Sequence, residues 1–98
     1  MNNNYVIEYL NENEFRKRER AVKKYNMLAY KKLLFDFYPS LRDGNFLGVM
    51  VSHNKEKNIT NYELKLPTDN MFNKVHGDII LHYAVYHDQK IIMLDTLT

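Results

Sequence analysis

The segment KVHGDIILHYAVYHDQKIIMLDTLT, residues 74–98, holds three histidines and three aspartates in a run that otherwise looks like buried sheet. Histidine beside a carboxylate suits proton transfer near neutral pH, because the carboxylate orients the imidazole and favours its charged form. If Asp88-Gln89 is a two-residue turn, the segment is a β-hairpin with a definite register. Val85 then faces Ile92, Tyr83 faces Leu94, and His82 faces Asp95 at about 5 Å between Cβ atoms. Alternation puts Leu81, Tyr83, Val85, Ile92, Leu94 and Thr96 on the core face. It puts His82, Asp95, Ile80, Tyr86 and Met93 on the other. A surface His–Asp pair with a structural role fits the same spacing.

Other chemistries are less well supplied. His76 and His82 lie six positions apart, which in a continuous strand is roughly 20 Å, too far for one ion. Zinc needs three or four ligands, so no metal site is expected, and no cofactor. Cysteine is absent, which removes thiolate chemistry and any disulfide framework. Ser40 and Ser52 sit in no nucleophile elbow, and the three glycines are scattered singly, so no phosphate-cradling loop is present.

The elements that must position these residues follow from periodicity. YVIEYL (Tyr5–Leu10) reads as a strand. Asn11 with Glu14 three residues on resembles a capping box. Phe15, Val22, Ala29, Leu33 and Phe37 then form one apolar stripe of a helix, or of two helices broken near Tyr25–Asn26. Pro39 disfavours helical geometry at Tyr38 and is expected to end the helix there. Phe46–His53 and Asn61–Pro67 read as further strands joined by a polar loop. The class is α+β: an antiparallel sheet of four to five strands with one or two N-terminal helices packed on one face. Ninety-eight residues make one domain, 1–98.

Charge is unevenly distributed. Residues 1–32 carry eight Lys/Arg against four acids, and residues 33–98 carry six against eight. Arg16, Lys17, Arg18, Arg20, Lys23, Lys24, Lys31 and Lys32 could follow a phosphate backbone, with Tyr25 and Tyr30 interleaved for stacking. A solvated helix face is the plainer reading of the same run. No apolar stretch approaches the roughly 20 residues of a membrane span. The start, MNNNYVIEYLNENE, has no signal-peptide pattern, so a cytoplasmic protein is expected.

Two blocks, VIEYLNENEFRKRERAVKKY and KVHGDIILHYAVYHDQKIIMLDTLT, together with the order of elements, resemble the RelE/ParE superfamily of bacterial toxins, nearest its YafQ-like branch. There an opening strand leads into Lys/Arg-rich helices and the chain closes on an antiparallel sheet. The resemblance places Asp78 on the family's late Asp and Tyr83 near its strand Tyr. The preceding His of the family falls on Lys74, two positions before His76, and its Trp on Ile79. Its terminal His has no counterpart up to Thr98. The resemblance implies a messenger-RNA endonuclease, ribosome-bound messenger as substrate, metal-independent acid–base cleavage and a partner antitoxin. Candidate catalytic residues are then Asp78, His76, Lys74, His82 and Asp95, with Lys74 or Lys65 stabilising phosphate charge. A non-enzymatic module that blocks a nucleic-acid-handling protein is the competing expectation.

Overall fold

The computed structural model describes residues 4–68 and 77–98. Strand β1 (Val6–Tyr9) leads through Asn11 into α1 (Glu12–Tyr25), α2 (Met27–Lys32), a π-helical segment (Leu33–Phe37) and α3 (Tyr38–Arg42). Strands β2 (Val49–Asn54), β3 (Ile59–Lys65), β4 (Ile80–Tyr86) and β5 (Ile91–Leu97) follow. They form one five-stranded sheet in the order β1-β5-β4-β3-β2. The pairs β2–β3, β3–β4 and β4–β5 are antiparallel, and β1 joins the edge parallel to β5. The fold is α+β, with the helices on one face of the sheet. Among the described residues no helix is long and apolar enough to cross a membrane.

Local chemistry accounts for the helical boundaries. The Asn11 side chain accepts from the Glu14 N–H at 3.2 Å, capping α1 as its spacing predicts. At the expected break, Asn26 is extended (φ −151°, ψ 88°) and its own N–H still reaches the Val22 carbonyl. Its buried side chain then accepts from the Ala29 N–H at 3.0 Å and starts α2. One residue thus ends one helix and caps the next.

Pro39 does not end the helix at Tyr38, contrary to expectation; the helix runs on to Arg42. Two causes are visible. The Tyr38 N–H bonds the Leu33 carbonyl five residues back, so the chain enters α3 through a widened turn. Pro39 then occupies the first turn, where its missing N–H leaves no gap. Tyr38 keeps helical geometry despite the following proline because its side chain is buried and hydrogen-bonded.

The core lies between helices and sheet. Phe15, Val22, Ala29, Leu33, Tyr38 and Leu41 from the helical layer meet Leu64, Leu81, Tyr83, Val85, Ile92, Leu94 and Leu97 from the strands. The hairpin register is as expected near the turn, with Val85 opposite Ile92 and Tyr83 opposite Leu94. Beyond that a bulge intervenes, and His82 pairs with Thr96, Leu81 with Leu97. The slip of one residue exchanges faces. Leu97 is therefore buried, and Thr96, assigned to the core from sequence, is exposed.

The ladder of β2 begins at Val49 rather than Phe46, because Phe46 and Leu47 turn inward. Phe46 packs edge-on against Tyr5 at 5.1 Å, and Leu47 offers its carbonyl to the Tyr83 hydroxyl. Gly48 makes this possible. Its φ is +97°, and a Cβ there would sit 2.3 Å from the Glu63 carbonyl oxygen.

Candidate functional site

Strand register gathers four chemically active side chains on the sheet face away from the helices. Glu63 pairs across with His82, and Lys65 with Ile80. Alternation turns Glu63, Lys65 and His82 outward, because their neighbours Leu64 and Leu81 point into the core. His82 Nδ1 lies 3.7 Å from Glu63 Oε1. Lys65 Nζ lies 3.2 Å from Oδ2 of Asp78, just ahead of β4. Lys65 is the diagonal cross-strand neighbour of His82, a relation that places the two residues about 7–8 Å apart, their Cβ atoms somewhat closer. A shallow groove of about 350 Å³ runs alongside, lined by Gly48, Val49, Glu63, Leu64, Lys65 and Ile80.

The expected His82–Asp95 pair does not form. The β5 bulge makes Thr96 the partner of His82, and Glu63 takes the place expected of Asp95. Asp95 instead lines a separate hollow of about 200 Å³ with Glu14, Phe15, Arg18 and Thr98, at the start of α1. Of the other candidates, Asp78 is held by Lys65. Lys74 and His76 lie outside the described residues.

Such a quartet can move protons and hold an anion. An imidazole one-third exposed, beside a carboxylate, can take or give a proton at the surface. The diagonally placed Lys65, ion-paired to Asp78, can meet a phosphate. Among the described residues no group of three or more His, Asp or Glu side chains could hold a metal ion.

The basic residues form a second surface, on the helical layer. At about 100° per residue, Arg16, Lys17, Arg20, Lys23 and Lys24 fall within roughly a third of the α1 circumference. The buried Phe15, Glu19 and Val22 point elsewhere, and Arg18 lies on another flank, by Asp95. Lys31 and Lys32 follow in the last turn of α2. The eight cations are not equivalent. Arg16 is tied to Glu19 at 3.1 Å and Glu12 at 3.5 Å, and its guanidinium lies over the Tyr9 ring. Lys17 pairs with Glu14, and Lys32 with Asp36 at 2.9 Å. Lys23 and Lys24 lie over the rings of Tyr30 and Tyr25. Arg20, Lys23, Lys24 and Lys31 form no ion pair among the described residues and remain open to an external anion. Tyr25 is well exposed, as a stacking platform requires.

Two polar networks have no sequence signature. Beneath α1 the buried Glu19 carboxylate accepts from the Tyr38 hydroxyl at 2.7 Å and from Arg16. Burial first, and then the bond to Glu19, raise the Tyr38 pKa well above its ordinary value. Burial likewise raises Tyr9 and Tyr83. Burial works to lower the Arg16 pKa, but Tyr9 and Glu19 outweigh it and raise it. At the other end of the molecule the Thr60 hydroxyl bridges His53 Nδ1 at 2.7 Å and His87 Nε2 at 2.8 Å. Thr60 is 3% exposed, too enclosed to act as a nucleophile. With Asn58 donating to Asp88 at 3.0 Å, it fastens the two hairpin tips together.

The chain matches no protein-family model, no curated protein and no solved structure. Fold and site define an α+β protein with an acid–base and lysine cluster on its open sheet face and a basic helical face.

Proposed function

We propose that the protein cleaves RNA without a metal, as a toxin of the RelE type acting on messenger RNA, cytoplasmic and neutralised by a partner antitoxin. The observation that carries this reading is the cross-strand quartet His82, Glu63, Lys65 and Asp78. His82 removes the proton of a ribose 2′-hydroxyl. The 2′-oxygen attacks the adjacent phosphorus, the bond from phosphorus to the 5′-oxygen breaks, and the leaving oxygen takes up a proton from water. The products are a 2′,3′-cyclic phosphate and a 5′-hydroxyl. Lys65, moving from Asp78 to the phosphate, offsets the negative charge that builds on its oxygens. Glu63, 3.7 Å from Nδ1, orients the His82 ring. Arg20, Lys23, Lys24 and Lys31, on the helical layer, hold the flanking RNA.

The test is expression in bacteria together with in vitro translation by the purified chain. The reading expects growth arrest and truncated messenger, both relieved by His82→Ala. Full activity in His82→Ala would refute the assigned chemistry. A second reading, a binding module that blocks another protein, is favoured by the exposure of β2 on both faces. It expects inhibition without a cut messenger.

A further inference from the structure

Strand β2 is the outer edge of the sheet at the end opposite β1. All six of its residues, Val49–Asn54, are exposed. Val49, Met50 and Val51 are 70%, 59% and 57% exposed, three consecutive apolar side chains open to water. The helices pack over β5 and β1, so neither face of β2 is covered by them. Its outer row of N–H and C=O groups pairs with no strand among the described residues.

Proteins commonly guard such an edge with lysine, proline or inward charge. Val49–Asn54 has none of these. Among the described residues its only protection is the bulge between Met50 and Ser52, which twists an edge and shortens the run that can pair. The opposite edge is better shielded, since the Tyr5 N–H ahead of β1 donates to the Arg42 carbonyl.

From this edge we infer that the chain forms a twofold homodimer in which β2 pairs antiparallel with β2 of a second copy, giving a ten-stranded sheet. The strand has no Asp, Glu, Lys or Arg, so two copies meet there without repulsion between such side chains, although the chain as a whole has a net charge of +2. An acidic or basic partner segment would find no counter-charge on it. A twofold contact of this kind consumes both β2 edges and leaves nothing to extend, so it closes as a dimer instead of growing into a fibre. Six residues of edge with three apolar side chains bury on the order of 1,000 Å² over the two copies, at the low end for specific interfaces. An interface of that size belongs with weak, transient contacts, so the dimer is expected at the upper end of a micromolar-to-millimolar range.

Sedimentation equilibrium of the full chain from roughly 1 µM to 1 mM measures this directly. The dimer is expected to appear within that range and to weaken at least tenfold in Val51→Lys, whose circular dichroism should match the parent because Val51 is exposed. Since the chain has no cysteine, single substitutions Val49→Cys, Met50→Cys and Val51→Cys provide an independent trap. At least one should form an inter-copy disulfide under mild oxidation, and Phe35→Cys, on the exposed π segment, should not. A monomer throughout the range would overturn the inference and leave the edge to a different chain. So would a dimer that Val51→Lys leaves intact and the β2 cysteines fail to trap.

Discussion

Replacing Tyr38 by Phe removes one oxygen and tests whether the Glu19–Tyr38 bond holds the helical layer together. Glu19 is 5% exposed and its Oε2 takes the tyrosine hydroxyl at 2.7 Å. Hydrogen bonds to charged groups contribute about 1.5–3 kcal/mol, and a buried partner left short adds to the loss. Arg16 remains 3.1 Å from Oε1 and keeps the carboxylate from being wholly orphaned. The expected cost is therefore about 2 kcal/mol, equivalent to a fall in Tm of roughly 8–16 °C for a domain of this size. Urea denaturation followed by circular dichroism should show a lower midpoint with an unchanged slope. Glu19→Gln in a double-mutant cycle should reveal coupling of at least about 1 kcal/mol. The same bond has a pH signature. Tyr38 is raised above its ordinary pKa of 10.0 by burial and Glu19, so above that pH the folded chain holds a proton that the unfolded chain has released. Stability must then fall as pH rises past about 10, less steeply in Tyr38→Phe. A Tyr38→Phe variant within about 0.5 kcal/mol of the parent, with the same alkaline profile, would refute the reasoning.

Gly48→Ala should cost about 2–3 kcal/mol in the same assay, since φ is +97° and the new Cβ meets the Glu63 backbone at 2.3 Å. Asn26→Ala should cost about 1–2 kcal/mol by removing the α2 cap while leaving the Ala29 N–H without its partner. RNA binding should weaken with salt, and replacing Arg20, Lys23 and Lys24 together by Ala should lower the slope of log K against log salt by about 2, read by fluorescence anisotropy. An unchanged slope would remove these residues from the interface.

The two-residue period and the Asp88-Gln89 turn made the hairpin readable as far as Tyr83 and Leu94, and with it most of the sheet's contribution to the core. The bulge beyond was not readable, because no residue type marks it. That one slip moved Asp95 away from His82 and put Thr96, expected in the core, on the exposed face. The break at Asn26 was legible because an isolated cap residue between two basic, apolar-striped segments has a local cause. Pro39 misled for the opposite reason: burial of Tyr38 and its bond to Glu19 are tertiary effects that outweigh a local steric preference. The pairing of Glu63 with His82 depends on the register of β3 against β4 across the intervening residues, which no local pattern specifies. The same holds for Thr60 between His53 and His87, contributed by β2, β3 and the β4–β5 turn. Local chemistry was legible, and long-range register was not.

The most direct test of the central claim is single-turnover cleavage of ribosome-bound messenger in EDTA by the parent chain, His82→Ala and Lys65→Ala. Proton transfer by a placed side chain contributes about 10²–10⁴-fold, and a group that stabilises developing charge about 10²–10³-fold. The account predicts cutting by the parent in EDTA, with losses of that order in both variants while binding to the RNA persists. A parent chain that binds but never cuts, or variants that cut at the parental rate, would contradict it.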